Sequence, residues 1–425
     1  MTDHAIKQVS VNNAAVLRGA KKSVLALQHL IAMFGATVLV PILTGFNPSI
    51  ALFTAGVGTL IFHACTKGKV PVFLGSSFAF IPVILTIKEI YGGDLAYAQG
   101  GIMAAGFIYV ILSFLVKQVG VEKIKAALPP YIVGPMIIVI GLNMIPTAFG
   151  MAKENLAIAA ITLGVALIIN FTAKGFIKQL GILIAVVTGY LISLRLGYVA
   201  TDIIKTSSFL AMPAFNLPKF DLGAIAMTVP VILAVFMEHL GDITTNGQVV
   251  GENFIEDPGL NRTLLGDGLA TMFASLVGGP ANTTYGENTG VLALTKNYDP
   301  SILRLAAVFA IGLAFIAKVG GVLASIPTFV MGGISLMLFS MISLIGFKTI
   351  KNENVKFNFK TVTIMLSILI IGLGGEYIGS KLGFTIGLPV PGTDVIISGL
   401  SFAALVGISL NGMFVLVSKL TTKNK

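Results

Sequence analysis

Apolar runs separated by brief polar breaks recur from one end of the chain to the other, and they predict fourteen membrane spans. The runs cover Ser23–Leu43, Pro48–Ala64, Val70–Ile87, Tyr97–Val116, Ala127–Ile145, Asn155–Phe171, Leu180–Leu196, Leu222–Thr244, Thr263–Val277, Ala281–Lys296, Ser301–Val319, Ser325–Ile345, Thr361–Tyr377 and Asp394–Val417. A helix crossing the hydrocarbon core takes about 20 apolar residues. Several runs reach that length, but Val70–Ile87 and Ala281–Lys296 are short and broken by Gly, Ser, Thr and Asn.

Composition sharpens this into a class. Of 425 residues, 55% are hydrophobic and 11% charged, against about 25% charged in an ordinary soluble domain. Mean hydropathy is +0.93. The chain reads as an all-α polytopic membrane protein, and its 48 glycines suit helices that must approach closely in lipid, where no hydrophobic force drives them together. The single cysteine, Cys65, excludes an internal disulfide and a thiolate zinc cluster. Met1–Lys22 is a polar, basic tail with no small-residue cleavage pattern, so the first apolar run is expected to be retained.

The net charge of +10 would raise nucleic acid as a partner in a soluble protein. Here membrane topology explains it. With the N-terminus in the cytoplasm, fourteen spans leave both termini inside and seven basic residues outside or at span ends: Lys88, Lys153, Arg195, Lys205, Lys219, Lys318 and Lys381. The other 21 of the 28 fall inside, as the positive-inside rule requires.

The chain also repeats itself. Leu27-Gln28-His29-Leu30 recurs as Met237-Glu238-His239-Leu240 at an offset of 210. Ser76-Ser77-Phe78-Ala79 recurs as Thr283-Thr284-Tyr285-Gly286 at 207, and Leu128–Gly134 loosely as Ile326–Gly332 at 198. Each match is weak, but all three keep the same order near half the chain length. Seven spans per half is odd, so the second half enters from the opposite side. Inverted repeats with discontinuous helices mark secondary transporters. Between the halves, Ala200–Asp221 reads as an outer loop with no fold of its own, and Ile243–Arg262 as an inner loop with turn chemistry at Glu256-Asp257-Pro258-Gly259.

Asn282–Gly290, Asn-Thr-Thr-Tyr-Gly-Glu-Asn-Thr-Gly, is the most polar island at membrane depth. Extended backbone there survives only if it is buried in protein or lines a cavity. Gly75–Phe78 and Asn282–Tyr285 are therefore expected to be short extended segments, related by the pseudo-two-fold, that pair antiparallel near the midplane. Each would feed a half-helix whose N–H groups point to the centre, ready for a carbonyl or anion. The alternative is a Ser/Thr-rich helix kink.

Three acids gather in this scheme. Glu287 follows the second extended segment, Glu238 lies mid-span, and Asp242 sits one helical turn after Glu238 on the same face. Acids at membrane depth mark substrate or ion paths. Structural readings are a buried Glu238 paired with His239 or Gln28, and Asp242 as a helix-end acid wetted by the inner loop. Two carboxylates with no nearby Lys or Arg cannot both stay ionised in low dielectric. Such a pair can take a proton on one side and release it on the other, and it would repel an anionic substrate. A substrate with N–H donors for carboxylates, carbonyls for half-helix N–H groups and a flat face for Phe78 or Tyr285 fits. A nucleobase satisfies each requirement, uracil economically, and other small planar amides do as well. A metal pair from His29 and His239 lacks a third ligand, so no metal or cofactor is expected.

These residues resemble a known family. Gln28-His29, Gly75-Ser76-Ser77-Phe78, Glu238-His239-Leu240-Gly241, Asp257-Pro258-Gly259-Leu260 and above all Asn282–Gly290 are similar to the nucleobase–ascorbate transporters, over nearly the whole chain. The resemblance implies a core domain of spans 1–4 (residues 23–117) and 8–11 (222–320), a gate domain of spans 5–7 (118–199) and 12–14 (321–425), and the linker 200–221 between them. It implies that Glu238 and Glu287 bond the base and that the N–H groups of Phe78 and Gly286 meet its carbonyls. Ser77, Gln28 and Tyr285 complete the expected substrate contacts, with His239, Asn288 and Thr284 in support. Relatives that take xanthine or urate usually carry Gln at the position of Glu287, which favours a pyrimidine. Asp242 departs from the histidine of a proton-coupled uracil carrier of the family, so Glu238 is expected to carry the proton, with Asp242 and Glu287 tuning it.

The reading is a uracil:proton symporter of the inner membrane, not an enzyme, with a possible homodimer through the gate domain. The alternatives are a xanthine or other purine permease, with sodium as a possible coupling ion, and an anion carrier of the same fold.

Overall fold

The computed structural model describes residues 2–123, 129–393 and 395–423. Met1, Lys125, Leu128, Asp394 and Lys425, which figure in the span, charge and repeat patterns, lie outside the described residues. The first half runs α1 (Thr2–Thr44), α2 (Pro48–Cys65), β1 (Leu74–Ser76), α3 (Ile81–Ile90), α4 (Leu95–Val119), α5 (Pro130–Ala152), α6 (Leu156–Thr172), the one-turn α7 (Gly175–Gln179) and α8 (Gly181–Arg195). A short α9 (Thr201–Thr206) lies in the linker. The second half runs α10 (Leu222–Thr228), α11 (Ile232–Val250), α12 (Leu260–Leu276), β2 (Asn282–Thr284), α13 (Gly286–Thr295), α14 (Pro300–Ala314), α15 (Ala317–Ala324), α16 (Thr328–Asn352) and α17 (Phe359–Leu382). It closes with a hairpin of β3 (Gly387–Pro389) and β4 (Ile396–Ser398), then α18 (Gly399–Lys423).

Polar residues at the breaks set where helices begin. Asn47 accepts from Ser49 N–H ahead of Pro48, Asp94 caps α4 through Ala96, and Asp299 caps α14 through Ser301 next to Pro300. Each side-chain oxygen satisfies one of the first-turn N–H groups that an α-helix leaves unpaired.

Among the described residues, seven helices are long and apolar enough to cross a membrane, or eight if a bent pair counts as one. One of the seven, Pro130–Thr172 with 43 residues, is about 65 Å long at 1.5 Å per residue, twice the hydrocarbon core. It is interrupted by a 3₁₀ turn at Lys153–Asn155, where Asn155 leaves helical geometry and caps α6. The count of fourteen rests on dividing that segment and on including shorter helices and the two strand–helix units.

The packing carries the inverted repeat. In order within each half, α2 corresponds to α12 and α4 to α14. The structure pairs α4 with α12 and α2 with α14, the same contact made twice by exchanged partners. Likewise α5 packs on α17 as α16 packs on α6, α6 on α8 as α17 on α18, and α5 on α16 across the centre. Glycine permits the tightest crossings. A Cβ on Gly134 would lie 3.1 Å from the Gly346 carbonyl oxygen, and one on Gly346 would lie 2.6 Å from that of Gly134.

Three expectations are corrected. The linker 200–221 does have structure: it contains α9, and Lys219 N–H donates to Ala96 O at 2.9 Å. The expected span Ser301–Val319 stops at Ala314, and the chain turns 79° into α15. There Phe315 O accepts from Ala211 N–H of the linker at 3.1 Å, which satisfies a carbonyl freed by the break. Finally, α11 runs to Val250, past the expected end at Thr244.

Candidate functional site

The polar island and its repeat mate meet as expected. β1 and β2 pair antiparallel, with Leu74 opposite Thr284, Gly75 opposite Thr283 and Ser76 opposite Asn282. The ladder extends at both ends, Ser77 N–H donating to Ala281 O at 2.8 Å and Tyr285 N–H to Phe73 O at 3.1 Å. A two-stranded ribbon has two open edges, and in an apolar interior each unpaired group is costly. Neighbouring side chains close them. Leu74 N–H donates to Thr59 Oγ1 at 2.9 Å, Thr271 Oγ1 to Asn282 O at 2.9 Å, and Tyr285 OH to Ser76 O at 2.8 Å. Asn246 Nδ2 bridges Pro71 O and Thr289 Oγ1, both at 3.1 Å. The hydroxyls and amides of this region are therefore largely what lets extended chain lie inside a helical protein.

Both strands run directly into helices. Ser77, extended, precedes a 3₁₀ turn at Phe78–Phe80 and then α3, so Phe78 lies just past the strand. Tyr285, extended, precedes α13. The first N–H groups of the Phe78–Phe80 turn and of α13 have no helical acceptor, whereas Ile81 N–H at the start of α3 donates to Phe78 O; the unpaired groups carry the positive end of a helix dipole. Gly286, first residue of α13, is exposed within this otherwise buried stretch.

The acids collect beside that helix start. Asp242 of α11 accepts from Thr284 Oγ1 at 2.9 Å, and its Oδ1 would lie 3.6 Å from a Cβ on Gly286. Glu238, one turn earlier on α11, is within electrostatic reach of Glu287 and Asp267, and Asp242 is within reach of all three. Glu238, Asp242 and Glu287 are each half-buried. Neither α11 nor the β2–α13 segment contains Lys or Arg. The arrangement offers three carboxylate acceptors beside the first-turn backbone donors of α13, one of which, Glu287 N–H, meets its own carboxylate.

The supporting residues divide by role. Asn288 is buried and donates from Nδ2 to His29 O at 3.0 Å, which ties α13 to α1. Gln28 is half-buried, and its Oε1, like Ser77 Oγ and Thr283 Oγ1, has no protein partner. Tyr285 is only 3% exposed, its ring against Gly75 and its hydroxyl on Ser76. The half-buried Phe78 is the more accessible aromatic face. His239 points away from Glu238: Nδ1 lies 3.0 Å from Asp267 Oδ2 and Nε2 lies 2.9 Å from Thr263 Oγ1. Asp267 is thus a fourth intramembrane acid that the motif reading passed over. Its signal was present, a lone carboxylate in the middle of Thr263–Val277, four residues after Thr263 on one helix face.

Comparison with known proteins gives the family. Residues 20–379 match the sequence model of the Permease family. The chain belongs to this family. It is 39% identical over 407 residues to the uracil permease of Bacillus subtilis (strain 168), covering 91% of each chain. It is 37% identical over 409 residues to the uracil permease of Escherichia coli (strain K12), covering 93% of this chain and 92% of that one. Among solved structures, the transmembrane domain of a cyanobacterium bicarbonate transporter, BicA, superposes with a TM-score of 0.61 at 17% identity, over 82% of this permease and 94% of that chain. Murine Slc26a9, an anion transporter in the inward-facing state, gives a TM-score of 0.68 at 12% identity, over 93% and 68% of the two chains. These structures share the fold with the permease.

Proposed function

We propose that this permease imports uracil by proton symport across the cell membrane, with both termini cytoplasmic and no cofactor. The observation that carries the reading is the grouping of Glu238, Asp242 and Glu287 around the exposed start of α13, with no cation on the elements that hold them. Uracil carries two N–H donors and two carbonyls. Glu238 and Glu287 accept from the N–H groups, and the N–H groups at Phe78 and Gly286 donate to the carbonyls. Phe78 covers the ring, and Ser77 and Gln28 supply unpaired oxygens nearby. The names of the relatives, uracil permeases of two bacteria, support the same substrate.

Coupling follows from charge. Three carboxylates held close repel one another when ionised, which gives the group a reason to take up a proton together with the substrate. Glu238, at the centre of the group, is the proton carrier in this reading. Asp242, held by Thr284, and Glu287 set how tightly the proton is kept. Alternating access comes from movement of residues 23–117 and 222–320, which hold the strands and the acids, against residues 118–199 and 321–425. A homodimer through the second group of helices belongs to the same proposal. The anion transporters that share the fold do not redirect the substrate assignment, because three acids repel an anion.

The test is binding of labelled uracil to the purified permease, with xanthine as competitor. Uracil is expected to be displaced by unlabelled uracil and poorly by xanthine. Absence of saturable uracil binding, or displacement by xanthine at lower concentration than by uracil, would overturn the substrate assignment.

A further inference from the structure

Away from the acids, a cavity of about 310 Å³ opens between α1, α8, α15 and α16. Its walls are apolar, with Phe34 and Val38 from α1, Val186 from α8, Leu323 from α15, and Met331 and Ile334 from α16. At its floor α1 touches α8, where a Cβ on Gly35 would lie 3.1 Å from Ile182 Cγ2. On its rim Val187 and Val322 are 44% and 38% exposed, so the cavity opens sideways between helices.

Two polar groups line it, and neither is acidic. The Tyr190 hydroxyl is paired with Ser325 Oγ at 3.0 Å. Lys318 donates from Nζ to Ile204 O at 2.7 Å and to Lys205 O at 3.3 Å. An ammonium group has three donors, so this anchoring leaves one for a further acceptor. The exposed Lys205 side chain is paired with Asp202 at 3.6 Å and is not part of the lining, so Lys318 is the cation of this end.

The volume falls at the lower end of the range of small-molecule sites, about 300–1,000 Å³. A water placed among these walls would lack the two to four polar partners that hold buried water. The medium beside an apolar opening between membrane helices is acyl chain, and the cationic end matches a phosphate. We propose that this crevice binds one phospholipid, with an acyl chain against Phe34, Val186 and Met331 and the phosphate on the free N–H of Lys318. The lipid lies between α1 and α15 on one side and α8 and α16 on the other, and fills a gap that their side chains leave.

The chain has no tryptophan, so one introduced tryptophan is a lone reporter. Phe34→Trp places it in the crevice with little change of volume, and Phe171→Trp, at a position 79% exposed, serves as the lipid-facing reference. Each full-length variant is reconstituted into vesicles of dibrominated phosphatidylglycerol and into the unbrominated lipid. The expected result is that Phe34→Trp loses at least half the fraction of emission that Phe171→Trp loses. Adding Val186→Phe, which fills the crevice, should abolish most of that quenching. Quenching of Phe34→Trp below a tenth, or quenching unchanged by Val186→Phe, overturns the proposal. Should Phe34→Trp fail to fold, Tyr190→Trp reads the same space with the same two outcomes. For the phosphate, Lys318→Gln should weaken quenching by the brominated phospholipid several-fold and leave quenching by a brominated fatty-acid methyl ester unchanged. Equal weakening of both overturns the headgroup assignment.

Discussion

Replacing Gly75 with alanine tests whether the strand crossing is as tightly built as its hydrogen bonds imply. A Cβ at Gly75 would lie 2.3 Å from Tyr285 Cζ, 2.4 Å from Cε2 and 2.7 Å from Thr37 Oγ1. Ordinary carbon–carbon contact is about 3.5–4.0 Å, so the ring must retreat by more than about 1 Å. It has little room, being 3% exposed and tethered by its hydroxyl to Ser76 O. Overpacking of this kind costs about 1–3 kcal/mol, and loss of the tether adds about 1 kcal/mol. Gly75→Ala is thus expected to destabilise the permease by about 2–4 kcal/mol and to weaken uracil binding, since Ser77 and Phe78 follow directly. Thermal unfolding in detergent and equilibrium binding of labelled uracil measure the two effects. The double variant Gly75→Ala with Tyr285→Ala separates packing from other causes, because the methyl then enters the space the ring left. Its loss should be smaller than the sum of the single losses, the mark of direct contact. Wild-type unfolding and binding in Gly75→Ala, or strictly additive losses, would refute the reasoning.

Further outcomes follow from the same geometry. Gly286→Ala meets only Asp242 Oδ1, at 3.6 Å, so unfolding should stay at the wild-type temperature while uracil affinity falls; unchanged affinity would move the substrate away from α13. Glu287→Gln should abolish uracil binding in a protein that still inserts, and retained affinity would assign Glu287 to the fold. His239→Ala leaves Asp267 with neither oxygen partnered and should cost about 1–3 kcal/mol or more, so an unaltered unfolding temperature would contradict the pairing. Outside the spans, the Tyr91 hydroxyl bonds Asp221 and holds its carboxyl below the usual range. The ionised form therefore adds stability above about pH 3.9, and this is lost as pH falls through the lowered value. Tyr91→Phe should reduce stability at pH 7 and make the acid loss shallower; parallel pH profiles would rule the contact out.

Much of this architecture was legible because the membrane imposes few solutions. Apolar run lengths marked the helices, and the hydroxyl-rich interruptions at Gly75–Phe78 and Asn282–Tyr285 located the paired strands. The acids of the candidate site were visible for the same reason, since a carboxylate in an apolar run stands out against its neighbours. Partner choice was harder to read. His239 follows Glu238 in sequence, yet successive residues on a helix point about 100° apart, and its partner is Asp267, 28 residues on. The sequence offers Tyr285 as an aromatic face, while three-dimensional packing sets its ring against Gly75, 210 residues away. The turn after Ala314 is met by the linker through Ala211 N–H on Phe315 O, and the linker helix by Lys318 on the carbonyls of Ile204 and Lys205, contacts that no local pattern encodes.

The most direct test of proton-coupled uracil transport is uptake of labelled uracil into proteoliposomes under an imposed gradient. An inward pH gradient, acid outside, should drive accumulation above the external concentration, and a sodium gradient of the same size should not. Glu238→Gln should lose the response to the pH gradient. Uptake that ignores the pH gradient, or that follows sodium instead, would contradict the account.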